Sequence, residues 1–117
     1  MKIAIVGSRG ITEINIGEHI PSDCTELISG GAKGVDSCVR EYALANGIAL
    51  TEIFPEYSKY GRAAPILRNK TIVDMADQVI ALWDGASKGT KWVIDYCKRV
   101  EKECKLIIIS GNDKAES

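Results

Sequence analysis

Short apolar runs alternate along this chain with stretches in which apolar positions recur every three or four residues. Ile3–Val6 is a continuous apolar run, the pattern of a strand buried on both faces. Glu26–Ser29, Ile48–Phe54, Gln78–Trp83 and Leu106–Ile109 repeat it, which predicts five strands. Between them, Val35, Cys38, Val39, Tyr42 and Ala43 recur at helical spacing, and Asn46-Gly47 supplies a stop. Residues 66–76 predict another helix. Val93, Tyr96, Cys97, Val100 and Cys104 fall on one face of a third, spanning 89–103. Residues 12–20 are ambiguous: Thr12 can cap a short helix, whereas Ile14-Asn15-Ile16 alternates like a strand, and helix is preferred. Pro55 to Pro65 reads as an irregular loop carrying Tyr57, Lys59, Tyr60, Gly61 and Arg62, long enough in a small domain to be functional. The polar tail from Gly111 to Ser117 is expected to fray.

Strand–helix alternation implies right-handed crossovers and a mainly parallel five-stranded sheet covered on both faces, an α/β three-layer sandwich. Ligands in such sheets bind beyond the carboxyl ends of the strands. Three strands end there in glycine-rich breaks, each with a basic residue: Gly7-Ser8-Arg9-Gly10, Gly30-Gly31-Ala32-Lys33-Gly34-Val35-Asp36, and Asp84-Gly85-Ala86-Ser87-Lys88-Gly89-Thr90. Glycine admits a ligand close to backbone N–H groups, and the following helix turns its positive end toward it. A phosphate is the expected guest; tight turns alone are the plainer explanation.

The 117 residues suit one domain, expected over 1–110 with a tail at 111–117. Apolar residues make up 45% of the chain, enough for a core. A net charge of −1 argues against a protein that coats nucleic acid by charge. The first apolar run is too short for a signal peptide, and no stretch is long enough to span a membrane, so the cytoplasm is the expected location. Cys24, Cys38, Cys97 and Cys104 form no C-x-x-C pair, and a single His19 completes no zinc site with them. Reduced, structural thiols are expected, with His19 at the surface or a helix end. Neither a metal nor a resident cofactor is predicted.

Neither the G-x-G-x-x-G fingerprint nor the Walker A order is present; Lys88-Gly89-Thr90 has the right residues in the wrong order. Two segments nevertheless resemble known sequences. Leu27 to Asp36, followed by Ala43-Leu44, resembles the S-G-x-A-x-G-[IV]-D segment of DNA-processing protein A. Gly61-Arg62-Ala63-Ala64-Pro65-Ile66-Leu67-Arg68-Asn69, followed by Ala76-Asp77, resembles the G-[KR]-x-A-G-x-x-R-N segment of the YspA/cpYpsA-related SLOG family. Gly7-Ser8-Arg9 and Lys88-Gly89-Thr90 fit that family too. The resemblance covers roughly Met1 to Ile109. It implies a Rossmann-like sheet, a pocket for a nucleotide-derived ligand, and a homodimer or larger homo-oligomer. The same superfamily holds the Lonely Guy phosphoribohydrolases, with an Arg-Lys pair and then P-G-G-x-G-T-x-x-E. Arg68 resembles that arginine and Gly89-Thr90 the G-T, but Val93 stands at the glutamate position. Asp95, two residues on, lies about 200° around the helix. Asp84-Gly85-Ala86 replaces P-G-G, and Pro65 replaces the family's glycine, restricting the backbone before Arg68.

The expected ligand-binding residues are Gly7, Ser8, Arg9, Gly30, Gly31, Lys33, Gly34, Asp36, Arg68, Asn69, Asp84, Gly85, Ser87, Lys88, Gly89 and Thr90. Arg68 and Arg9 suit a phosphate; the plainer roles are an ion pair of Arg68 with Asp74 or Asp77, and an exposed Arg9. Asp36 in a first helical turn either stabilises the helix dipole or touches a ribose. Asn69 holds a loop or the ligand, and Ser87 or Thr90 caps a helix or donates to phosphate. Tyr57 and Tyr60 stack on a base or pack on the sheet. Trp83 reads as core or pocket wall, Trp92 as helix surface or dimer contact. Three functions follow. The first is a binder of a nucleotide-derived small molecule, as sensor, sponge or carrier. The second is a nucleoside-monophosphate N-glycosidase using Asp36 or Asp84 as its carboxylate. The third is single-stranded nucleic-acid binding, which the near-neutral charge disfavours.

Overall fold

A computed structural model describes residues 1–109. The expected tail at 111–117 lies outside them. Five strands, β1 (Lys2–Gly7), β2 (Glu26–Ser29), β3 (Ala49–Glu52), β4 (Gln78–Trp83) and β5 (Cys104–Ile108), form one sheet in the order β3-β2-β1-β4-β5. Every pairing is parallel. The sheet is thus wholly, not mainly, parallel, and its order reverses between β1 and β4, where open α/β sheets leave a crevice. The helices are α1 (Val35–Asn46), α2 (Tyr57–Tyr60), α3 (Ala64–Met75) and α4 (Lys88–Val100).

Alternation along the strands divides the core in two. Ala4, Val6, Ile28, Val79 and Ala81 face α3 and α4, meeting Ile72, Val73, Val93 and Cys97. Ile3, Ile5, Leu27, Ile80 and Leu82 face α1, meeting Val35, Val39 and Ala43, with Ile11 and Ile16 completing that layer. Strands buried on both sides read as continuous apolar runs for this reason. The four cysteines are free thiols, and among the described residues no group of His, Cys, Asp and Glu could hold a metal ion. No described helix is long and apolar enough to cross a membrane.

Several boundaries differ from expectation. Residues 12–20 hold one 3-10 turn, Ile16–His19, preceded by Asn15 rather than capped by Thr12. His19 sits in its last turn beside Glu18. The third strand shortens to Ala49–Glu52. The segment Pro55 to Pro65 is not irregular: it holds α2, a 3-10 turn at Gly61–Ala63 and the start of α3, with Pro65 in that helix's first turn, where its missing N–H costs nothing. α4 stops at Val100 because Glu101 takes a left-handed conformation (φ 58°). Cys104 therefore opens β5 instead of continuing the helix face, and Val100 is exposed.

Candidate functional site

The carboxyl ends of β1, β2 and β4 converge on a cavity of about 430 Å³. Its floor is apolar, from Val6, Ile72 and Val93; its rim is charged and glycine-rich. Gly7, Arg9 and Gly10 come from the first break, and Gly30, Ala32 and Asp36 from the second. Asp84, Ser87, Gly89 and Thr90 come from the third, and Pro65, Arg68 and Asn69 from α3. All three breaks thus share one site, as their strand-end positions require.

Gly34 lets α1 begin there. Its φ of 74° suits glycine, and a Cβ would sit 2.5 Å from the Arg9 carbonyl oxygen. Gly7 likewise makes room for Val35, the first residue of α1. Asp36, in the first turn of that helix, is 8% exposed, and its Oδ2 accepts the Ala32 N–H at 3.0 Å. Burial pushes its carboxyl above the usual range, against the opposing hydrogen bonds from Ala32 and Ser29 and the charge of Arg68.

Arg68 forms neither of the ion pairs weighed from the sequence. Asp74 pairs with Lys70 and accepts from Tyr96, and Asp77 accepts the Lys2 N–H. Arg68 Nη1 instead donates to the carbonyl oxygens of Gly30 at 2.8 Å and Ile53 at 3.3 Å, and Nε to Asn69 Oδ1 at 2.9 Å. Glycine at 30 is what permits this reach, since a Cβ there would meet Arg68 Nη1 at 2.6 Å. Burial lowers the pKa of Arg68; Asp36 opposes that shift and Arg9 adds to it, so two guanidinium groups share one cavity. Asn69 therefore acts on Arg68, fixing the guanidinium plane.

At the third break, Asp84 Oδ1 accepts the N–H groups of Ala86 and Ser87, both at 2.8 Å. These bonds hold its carboxyl below the usual range. Asp84, not Ser87 or Thr90, organises the start of α4: neither hydroxyl bonds a helix N–H, and the two face each other at 3.4 Å. Trp83 is tied in by its indole, which donates to the Ser87 carbonyl at 2.9 Å. The first helical bond of α4 is from Lys91 N–H to Ser87. The amides of Gly89 and Thr90 precede it and have no acceptor within the helix.

The remaining expected residues stand outside the cavity wall. Ser8 is buried and structural, its Oγ accepting the Asp84 N–H and its N–H bonding Leu82, which staples β1 to β4. Gly31 lies under the Phe54 ring. Lys33, Gly85 and Lys88 are exposed beyond the rim. Tyr57 is exposed and Tyr60 lines a neighbouring cavity. Trp92 stacks on Tyr96 with ring centroids 5.1 Å apart. Sequence reasoning missed Ile53, whose carbonyl holds Arg68, and the apolar floor. Val93 was legible only as a departure from a motif; it is part of that floor, while Asp95 is turned away to Lys91 at 2.8 Å. Comparison of the chain with protein-family models, curated proteins and solved structures finds no match.

Proposed function

We propose that the chain binds a small phosphorylated nucleoside at the carboxyl edge of its sheet. The observation that carries this function is Arg68. It is anchored through Nη1 and Nε by protein oxygens, half-buried, and lines the same cavity as the open N-terminus of α4. A guanidinium held in place loses little entropy when it takes up an anion, and helix-end amides add donors for the same charge. Asp36, beside Arg68 at Gly30, and Ala32 offer an acceptor and a carbonyl for ribose hydroxyls. Resemblance to the SLOG superfamily supports the same ligand class, and it carries with it a homodimer or larger homo-oligomer.

Thermal denaturation against nucleoside 5′-monophosphates, dinucleotides and ribose 5-phosphate tests this function. A ligand at a hundred times its dissociation constant should stabilise the fold by about 2.7 kcal/mol. Arg68→Ala should abolish that ligand-induced shift, read against the variant's own unliganded midpoint, which falls because the bonds to Gly30, Ile53 and Asn69 are lost. No shift with any phosphate at millimolar concentration would refute it.

Hydrolysis of the bound N-glycosidic bond is the second function, and one observation favours it. Asp36 is a buried carboxyl in the cavity wall whose pKa is raised, the property of a proton donor to a leaving base. Against it, Val93 gives no second carboxylate, and Asp84 spends Oδ1 on α4. Release of free base, lost in Asp36→Asn with binding retained, would establish turnover; a bound ligand recovered intact would leave a binder.

A further inference from the structure

A second cavity of about 290 Å³ lies on the other side of Arg68, between α3 and the segment that follows β3. Arg68 is the one described residue that lines both cavities. The two hollows therefore share Arg68 as a common wall. The first is rimmed by glycine, hydroxyl and charge. The second is walled by the apolar and aromatic side chains of Ile53, Phe54, Tyr60 and Leu67, with Glu56, Lys70 and Thr71 beside them.

Phe54 is placed unusually for a large apolar residue. One side of its ring rests on the glycine break after β2, where a Cβ on Gly31 would meet Phe54 Cε1 at 2.3 Å. The side chain is nonetheless 57% exposed. The ring is thus seated on backbone and open toward the cavity, with Tyr60, 41% exposed, on the same wall. A flat ring seated this way offers its free face to another flat ring. Arg68 has Nη1 and Nε engaged by the protein, and its Nη2 makes no hydrogen bond among the described residues.

We infer that the second cavity seats the heteroaromatic base of the ligand, stacked on Phe54, while the phosphorylated sugar occupies the first cavity and Arg68 sits at the junction. This inference rests on the phosphorylated-nucleoside function proposed above. It adds the seat of the base, so that the nucleoside phosphate is held by both ends. It also assigns a specificity role to Phe54. Stacking tolerates any base, because every base has a π-face, so discrimination is between base and no base.

Titration calorimetry with the four common nucleoside 5′-monophosphates and with ribose 5-phosphate tests it, on the natural chain, Phe54→Leu and Phe54→Tyr. The best-bound nucleotide should exceed ribose 5-phosphate by about tenfold or more in affinity. Phe54→Leu keeps an apolar side chain but removes the π-face; it should collapse that ratio and leave ribose 5-phosphate binding unchanged. Phe54→Tyr should preserve the ratio. Equal affinities in the natural chain, or a ratio untouched by Phe54→Leu, would overturn base stacking while leaving the phosphate site standing. Absence of binding by all five ligands would overturn the phosphate site, and the stacking with it.

Discussion

Asp36 and Asp84 are two carboxylates lining one cavity whose surroundings drive them in opposite directions. Asp84 accepts two backbone N–H groups, which favours its charged form, so its pKa is depressed. Its stabilising effect is present above the ordinary carboxylate pKa and is lost as the pH falls through the depressed value. Asp84→Ala should therefore cost about 1 kcal/mol at neutral pH, a typical loss for a helix-start acceptor. Thermal melts at descending pH should show the gap to the natural chain closing in acid. Asp36 carries the reverse sign. Burial raises its pKa, so its contribution is fully present below the ordinary carboxylate value and is lost as the pH rises through the raised one. Asp36→Asn keeps an acceptor for the Ala32 N–H and has no proton to lose. Its midpoint should climb relative to the natural chain between acid and neutral pH, and parallel curves would show that Asp36 is not desolvated.

Element boundaries are decided by single backbone conformations, and Glu101 is the clearest case. It ends α4 at φ 58°, where its N–H donates to the Lys98 carbonyl. A side chain in that conformation is strained, and glycine is the usual occupant. Glu101→Gly should raise stability by up to about 1 kcal/mol, read as a shift of the urea midpoint at unchanged slope. The same residue explains where sequence reasoning failed. Helical spacing runs on from Tyr96 and Val100 to Cys104, and periodicity carries no sign of a left-handed glutamate. Where a glycine marked the turn, the boundary was legible: Gly47 closes α1 at φ 64°, immediately after Asn46. β2 and β4 were legible to the residue because their apolar runs are hemmed by glutamate, glycine, glutamine and aspartate. α2 was not, since a single turn cannot display a helical period. At the site, the three glycine breaks could be read because backbone approach demands a residue type. The partners of Arg68 could not, because carbonyl oxygens are contributed by any residue whatever its side chain.

The whole molecule sets the terms on which an anion is met. The chain carries 15 basic and 16 acidic residues, so no long-range positive field draws a polyanion toward it. The attraction is local: Arg68 and Arg9 at one cavity, opened by the reversal of strand order between β1 and β4. A ligand that fits the cavity gains two guanidinium groups and the end of α4. Binding of a single-stranded oligonucleotide should therefore be undetectable by fluorescence anisotropy at 0.15 M salt, about the physiological ionic strength. Any binding at about 0.01 M salt should vanish steeply as counterions are added. A nucleoside monophosphate, desolvated within the cavity and held by short contacts, should lose far less affinity over the same range. Tight oligonucleotide binding that persists at physiological salt would mean that a surface beyond this cavity recognises phosphate. A shallow salt dependence confined to small phosphates would place recognition in the cavity, where Arg68 is already positioned before any ligand arrives.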